Sequence, residues 1–289
     1  MKKLRYFSEF IIVILCFSLF KIIGVKYSSI IGGYIGKYLG FLFREKKIAL
    51  KNLKIAFPEK NDSEIKSILE KTYINIGKIF GEYVHINKFT INNVKPSITF
   101  NDFKIIEKFK NLRKPILFFS GHFSNFELMA KGIYDLGFNI FAVYRPLNNF
   151  FLDPIMMYIR RNYICPNQIK KGGEGTKELL KQIKNNNPIA IMVDQRLSSG
   201  IKAPFFSQEA FTTDTPAQLA VKFDAKLVPV YLERINELNY QLFFEDPLEL
   251  KNLDKSKIFE ITLLINKKIE EFIKRCPSDW IWTHNRWKT

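Results

Sequence analysis

Five short apolar runs, each bounded by turn-forming or charged residues, are the feature that most restricts how this chain of 289 residues can fold. Between the runs lie segments whose apolar residues recur at helical spacing. Strands that alternate with helices predict an α/β domain, with a mostly parallel or mixed central sheet flanked by helices. The predicted strands are Ile116–Phe119, Ile140–Tyr144, Ile189–Val193, Leu227–Leu232 and Gln241–Phe244.

Helices are predicted before, between and after these strands along the chain. Lys46–Phe57 has apolar residues at helical spacing and is stopped by Pro58. The sequence Asn61-Asp-Ser-Glu64 is typical of a helix N-cap. The remaining predicted helices are Ser63–Phe80, Asn125–Leu136, Phe151–Asn162, Thr176–Lys184, Thr213–Phe223 and Lys257–Lys274.

Positive charge is concentrated near the N-terminus. The formal net charge is +17, and residues 1–60 contribute 12 Lys+Arg against 3 Asp+Glu. Such an excess indicates an anionic partner. The basic residues are interleaved with long apolar runs, which favours anionic membrane lipids over nucleic acid.

The N-terminal region is expected to associate with a membrane. Its uninterrupted apolar run, residues 10–20, is shorter than the roughly 20 residues that a spanning helix needs. No clear signal-peptide cleavage site follows it. We therefore predict a retained anchor or interfacial helix, with a second apolar segment at Ser28–Phe43. The predicted division is 1–60 for the membrane-associated helices and 61–289 for the α/β domain.

The number and spacing of the cysteines indicate neither a disulfide framework nor a metal site. Cys16, Cys165 and Cys276 are odd in number and far apart, and no CxxC is present. A full disulfide framework is therefore excluded, and metal-ligand spacing is absent. We expect reduced cysteines and no metal.

The segment SGHFSNFE (Ser120–Glu127) falls where a predicted strand ends and a helix begins. Active sites in open α/β sheets gather at the carboxyl ends of the strands. His122 in the loop could take a proton from an alcohol near neutral pH, and Glu127 could orient it. On spacing alone a structural His–Glu pair, or two unrelated residues, is favoured, because HxxxxE often occurs by chance.

Further blocks follow in order: YRPLNN at 144–149, DQ at 194–195 with Gly200 and PFF after it, a threonine–proline helix start, and WIWTHNRWK near the end. Together with GHFSNFE they resemble the bacterial lipid A biosynthesis acyltransferases, the lauroyl/myristoyl family of late acylation. The resemblance runs from about residue 25 to 288. Departures are Ser124 and Ser207, where glycine is common, and Phe150, where proline is common.

The resemblance implies a mechanism. His122 would be the general base and Glu127 would orient it and stabilise its protonated form. A hydroxyl of a lipid A precursor would attack a thioester carbonyl, and the acyl group would transfer to it.

The resemblance also implies substrate-binding residues. Arg145 and Arg160 would contact phosphate or the anionic parts of the donor, whereas Arg161 would lie on a solvated helix face. Asp194 would have a supporting or substrate-binding role, with a structural turn role left open, and Gln195 would bind substrate.

The family's usual donor is an acyl chain on acyl carrier protein, an acidic partner that a basic surface suits; coenzyme A thioesters stay open. No cofactor is implied. The implied location is the bacterial inner membrane, with the catalytic domain facing the cytoplasm. Two alternatives remain: acylation of a lysophospholipid or another membrane glycolipid, and a non-catalytic basic protein that binds anionic lipid.

Overall fold

The computed structural model describes residues 2–42, 45–92 and 94–288 and confirms the α/β architecture. The helices of the described residues are α1 Lys2–Leu39, α2 Lys46–Ala56, α3 Asp62–Glu82, α4 Phe103–Lys110, α5 Phe126–Asp135, α6 Asp153–Tyr163, α7 Gly173–Lys184, α8 Thr215–Phe223 and α9 Ile258–Arg275. The strands are β1 Ile98–Phe100, β2 Ile116–Ser120, β3 Phe141–Tyr144, β4 Asn167–Lys170, β5 Ile189–Met192, β6 Ile201–Phe205, β7 Gln208–Thr212, β8 Lys226–Arg234 and β9 Tyr240–Phe244.

Seven of the strands form the central sheet, in the order β1–β9–β8–β2–β5–β3–β4. The pairs from β8 to β4 are all parallel, whereas β9 runs antiparallel to β8. The loops after β2, β5, β3 and β4 therefore leave from one edge of the sheet. Strands β6 and β7 form a separate antiparallel hairpin.

All five predicted strands are confirmed, with small differences at their ends. Strands β1, β4 and the β6–β7 hairpin were missed. β4 has the sequence NQIK and lies at the edge of the sheet, where only Ile169 is buried. Because three of its four residues are polar, β4 shows little apolar pattern in the sequence.

The apolar run at residues 10–20 and the second apolar segment as far as Leu39 form one kinked helix, α1. Residues 40–42 form a 3₁₀ helix, and Phe43, where the second segment was predicted to end, lies outside the described residues. By length and composition α1 could cross a membrane. The kink falls at Gly24, whose φ of +81° lies in a region that L side chains rarely adopt. A Cβ there would meet nothing within 4 Å, so the backbone conformation, rather than crowding, requires glycine.

The second half of α1 packs closely on α3 through small residues. A Cβ on Gly36 would lie 2.0 Å from the carbonyl oxygen of Tyr73, and one on Gly77 would lie 2.0 Å from that of Gly32. The two helix backbones can therefore approach each other only because these positions lack side chains. The predicted cap of α3 is confirmed: Asn61 and Glu64 form a capping box.

Apolar side chains cover both faces of the sheet. One face carries α2, α8, α9 and the buried residues Trp280, Trp282 and Trp287. The other carries α4, α5 and part of α1, including Phe17 and Phe20. The predicted division near residue 60 stays a prediction.

Candidate active site

His122 lies in the loop between β2 and α5, at the carboxyl edge of the sheet. Gly121 before it has no room for a side chain, because a Cβ would lie 2.8 Å from the Phe123 ring and 3.2 Å from Asp194. Ser124 after it adopts φ of +46°, which explains why glycine suits this position. Its N–H donates to the carbonyl of Asp279 at 2.8 Å, which ties the loop to the C-terminal segment.

Asp194, in the loop that follows β5, is the carboxylate that holds His122. Its Oδ1 lies 2.8 Å from His122 Nδ1, and its Oδ2 accepts from the His122 backbone N–H at 2.8 Å. The same Oδ2 accepts from Trp280 Nε1 at 2.7 Å. The prediction that Asp194 belongs to the site is compatible with this geometry, although it contacts the histidine rather than an open subsite.

The electrostatics of the pair fix the histidine tautomer. Burial opposes the charged form of Asp194, but its contacts with His122 and Trp280 outweigh burial and lower its pKa to about 2. An ionised carboxylate only accepts, so Nδ1 of His122 carries the proton and Nε2 keeps its lone pair. Burial also opposes the charge on His122, yet the Asp194 carboxylate raises its pKa above the ordinary value.

Glu127 does not bond to His122, so the prediction that Glu127 orients the histidine is wrong. Its carboxylate instead binds Arg160, with Oε1 2.5 Å from Nη2 and 3.0 Å from Nε. Glu127 lies in the first turn of α5, which turns it towards α6 and away from the loop. Both side chains are largely buried, at 8% and 13% exposed. The charge of Glu127 still contributes to the raised His122 pKa.

Gln195 and Arg145 occupy the same edge of the sheet. Gln195 donates from its Nε2 amide group to the lone pair of His122 Nε2, in a long contact of 3.5 Å. Arg145 is exposed after β3 and forms no ion pair within residues 2–42, 45–92 and 94–288. Lys171 is beside it, because its N–H bonds the carbonyl of Tyr144 at 2.8 Å. Burial, and then the charge of Arg145, lowers the pKa of Lys171.

A buried polar network behind the site was missed by the sequence reasoning. Glu82 of α3 is fully buried and accepts from Arg234 at 2.7 Å, Tyr240 at 2.5 Å and Asn125 at 3.0 Å. It also accepts from Ser29 of α1 at 2.7 Å. This network connects the N-terminal helix to Asn125, the residue just before α5. The signal in the sequence was a lone carboxylate inside an apolar helical pattern.

The C-terminal segment closes the site from one side. Trp280 pairs with Phe123 in an isolated bridge and supplies the indole N–H to Asp194. Asn52 of α2 donates to the carbonyls of Trp282 and His284, at 2.8 and 2.7 Å. Trp280, Trp282 and Trp287 are all buried, and His85 is buried as well.

The fold and the site define a class: an α/β protein whose histidine, held by a buried carboxylate at the strand ends, suits general-base attack by a hydroxyl. The comparison with known proteins is more specific. Residues 1–289 match the family described as bacterial lipid A biosynthesis acyltransferase. The chain belongs to that family and is an acyltransferase.

Relatives at low identity agree. The lipid A biosynthesis lauroyltransferase of Escherichia coli K12 is 26% identical over 266 residues, covering 90% of this chain and 84% of the relative. The lipid A biosynthesis palmitoleoyltransferase of the same organism is 24% identical over 254 residues, covering 86% and 80%. A lipid A biosynthesis acyltransferase of Haemophilus influenzae is 22% identical over 270 residues, covering 89% and 84%.

Proposed function

We propose that this protein transfers a fatty acyl chain from an acyl-carrier-protein thioester to a hydroxyl of a lipid A precursor, at the cytoplasmic face of the bacterial inner membrane. The family and the names of its relatives support the lipid A acceptor. The observation that carries the chemistry is the His122–Asp194 pair, with an unprotonated Nε2 of the imidazole that faces the Gln195 amide at 3.5 Å.

In the proposed reaction Nε2 of His122 removes the proton of the acceptor hydroxyl as its oxygen attacks the thioester carbonyl. Asp194 holds the ring and stabilises the imidazolium that forms. The tetrahedral intermediate then collapses, the carbon–sulfur bond breaks, and the imidazolium returns its proton to the leaving thiolate. Base catalysis of this kind contributes about 10²–10⁴-fold. No cofactor is required.

A hydrogen-bond donor near the reacting carbonyl would stabilise the negative charge that develops on its oxygen. Gln195 is placed to donate to the oxygen on which negative charge develops, because its amide lies beside the imidazole nitrogen that meets the acceptor. Arg160 keeps its charge beside Glu127, since that carboxylate outweighs burial and raises the Arg160 pKa. Because Glu127 compensates that charge, we assign Arg160 the role of holding the Glu127 carboxylate beside the site.

Arg145 and Lys171 would bind a phosphate of the acceptor or of the donor arm. Neighbouring strands lie about 4.8 Å apart, so β3, two strands from β2, places Arg145 roughly 10 Å from His122. The test is Arg145→Ala, which should raise the KM of one substrate at nearly constant kcat. Arg113→Ala is the matched control, because Arg113 is exposed just before β2, at the opposite edge of the sheet. Unchanged KM values for both substrates would remove the phosphate role.

The proposed activity itself is tested with purified full-length protein in detergent. Laurate, myristate and palmitate are offered on acyl carrier protein and on coenzyme A, with a tetra-acylated lipid A precursor beside a lysophospholipid. Transfer to the lipid A precursor that is lost in His122→Ala, at an unchanged melting temperature, would support the proposal. Transfer only to the lysophospholipid would overturn the acceptor, and activity retained by His122→Ala would overturn the base.

A further inference from the structure

The first half of α1, residues 2–23, lies along the catalytic domain instead of projecting from it. Near the kink, Phe20 packs edge-on against Phe80, with ring centroids 5.7 Å apart. At the far end, Tyr6 packs against Phe150 at 6.0 Å. The amide of Asn149 also donates to the Tyr6 carbonyl at 2.9 Å. The helix is therefore held at both ends.

The length of this contact argues against a spanning helix. Tyr6 and Phe20 are 14 positions apart in the sequence, which is about 21 Å of helix at 1.5 Å per residue. The hydrocarbon core of a bilayer is about 30 Å thick. Residues 2–5 alone extend beyond the far contact, and three of them are basic. A spanning helix would carry the loop at 145–153, with Arg145, deep into hydrocarbon, where a charged side chain is costly.

The face of this half that points away from the domain is apolar. Leu4, Ile12, Leu15, Leu19 and Ile22 recur at helical spacing and are 71%, 62%, 65%, 52% and 83% exposed. An exposed apolar face of this length marks a contact with a membrane or with another protein, and the flanking basic residues favour anionic lipid. Phe150, 50% exposed on the adjoining loop, extends the same surface towards the active site.

The kink fixes the direction of the first half. Beside the break at Gly24, the Phe20 carbonyl accepts hydrogen bonds from His85 Nε2 and Ser28 Oγ, each at 2.9 Å. The second half is fixed to α3 by the glycine contacts. Its exposed face carries Tyr27, Tyr34 and Tyr38, a residue type enriched where membrane meets water.

We propose that the first half of α1 is an interfacial helix that lies in one leaflet of an anionic phospholipid membrane, with its N-terminus on the same side as the catalytic domain. The loop at 145–153 then rests at the membrane surface. A lipid-borne hydroxyl can reach His122 sideways from that leaflet without leaving the membrane. This topology does not depend on which lipid is acylated.

The first test asks whether the N-terminus and the catalytic domain lie on the same side of the membrane. The three native cysteines are replaced by serine, and single cysteines are introduced as Lys3→Cys and Lys184→Cys in the full-length chain. Lys3 is exposed near the N-terminus of α1, and Lys184 is exposed at the end of α7. Inner-membrane vesicles of both orientations are treated with a membrane-impermeant maleimide. We expect both positions to react in the same orientation only. Reaction of the two positions from opposite sides would overturn the proposal.

Depth gives the second test. Nitroxide labels at Leu4→Cys and Leu15→Cys are read by collision with oxygen and a nickel chelate, in vesicles of phosphatidylethanolamine and phosphatidylglycerol. An in-plane helix places both at similar, shallow depth, whereas 11 residues of spanning helix would separate them by about 16 Å. Phe259→Cys, at an exposed position of α9, is the aqueous control. Depths that differ by that distance, or a protein that stays unbound to these vesicles, would overturn the proposal.

Discussion

Replacing Asp194 by asparagine tests which carboxylate makes His122 a base. The substitution keeps the shape of the side chain but leaves one acceptor oxygen where the structure uses two. In the native site Oδ2 accepts from the His122 backbone and from Trp280, and Oδ1 accepts from the imidazole. An amide oxygen placed at the Oδ2 position satisfies two donors, so the NH₂ group faces His122 Nδ1.

That orientation gives the wrong tautomer. Nδ1 must then accept a hydrogen bond, so the imidazole proton moves to Nε2 and the lone pair that faces the acceptor is lost. One additional hydrogen bond, about 1 kcal/mol net, favours this arrangement. The equivalent change in the triad of serine proteases lowers kcat by about 10⁴, or roughly 5.5 kcal/mol. We expect kcat here to fall by about 10³–10⁴.

The pH profile is the second readout. The base works when His122 is neutral, so the rate falls as the pH drops through its raised pKa. Removing the Asp194 carboxylate lowers that pKa, because the charge that favours the imidazolium is gone. The acidic limb of the residual activity should therefore move to lower pH. Glu127→Gln should move it less, since Glu127 has a smaller effect on this pKa than Asp194.

The assay is acyl transfer at saturating donor between pH 5 and 9, with the melting temperature measured for every variant. Asp246→Asn is the matched control, because Asp246 is exposed and pairs with Lys108 at the surface. The reasoning is refuted if Asp194→Asn retains activity within tenfold of wild type while folded. It is also refuted if Glu127→Gln shifts the acidic limb further than Asp194→Asn does.

Three further predictions concern stability. Gly77→Ala should lower the melting temperature, by an overpacking penalty of about 1–3 kcal/mol against α1, whereas Gly173→Ala, with open space around it, should not. Glu82→Gln should cost about 3–5 kcal/mol in urea unfolding, since it leaves the buried Arg234 without its charge partner; a normal unfolding midpoint would contradict this. Burial raises the pKa of Asp279 to about 6, so the native state holds a proton that the unfolded chain releases. Stability therefore falls as the pH rises from about 4 to 6, and Asp279→Asn should remove that fall; an unchanged pH dependence would count against it.

The sequence predicted the secondary structure of this fold where apolar residues make a clear pattern. The five central strands are short, apolar and bounded by turns, and each is present in the sheet. Edge strand β4 (NQIK) and the hairpin strands β6 (IKAPF) and β7 (QEAFT) carry polar residues or a proline, so their apolar patterns are weak. The junction at His122 was also readable, because the motif follows an apolar strand and precedes a helix.

The network around Glu82 was not readable in the same way. Its partners, at 29, 125, 234 and 240, come from distant parts of the chain. Each alone resembles an ordinary polar residue. Their common contact depends on how α1, α3 and the β8–β9 pair pack, and no local spacing encodes it.

The sequence by itself determined the five strands with a clear apolar pattern, and that His122 stands at the end of one of them. Only the tertiary structure decided which carboxylate reaches it. Glu127 is five positions away, but the first turn of α5 rotates it towards Arg160. Asp194 is 72 positions away, yet β2 and β5 pair with Ser120 beside Met192, so the loops after both strands meet. Parallel strands bring their carboxyl ends together whatever the chain length between them, whereas a helix fixes the direction of each side chain by its position in the turn.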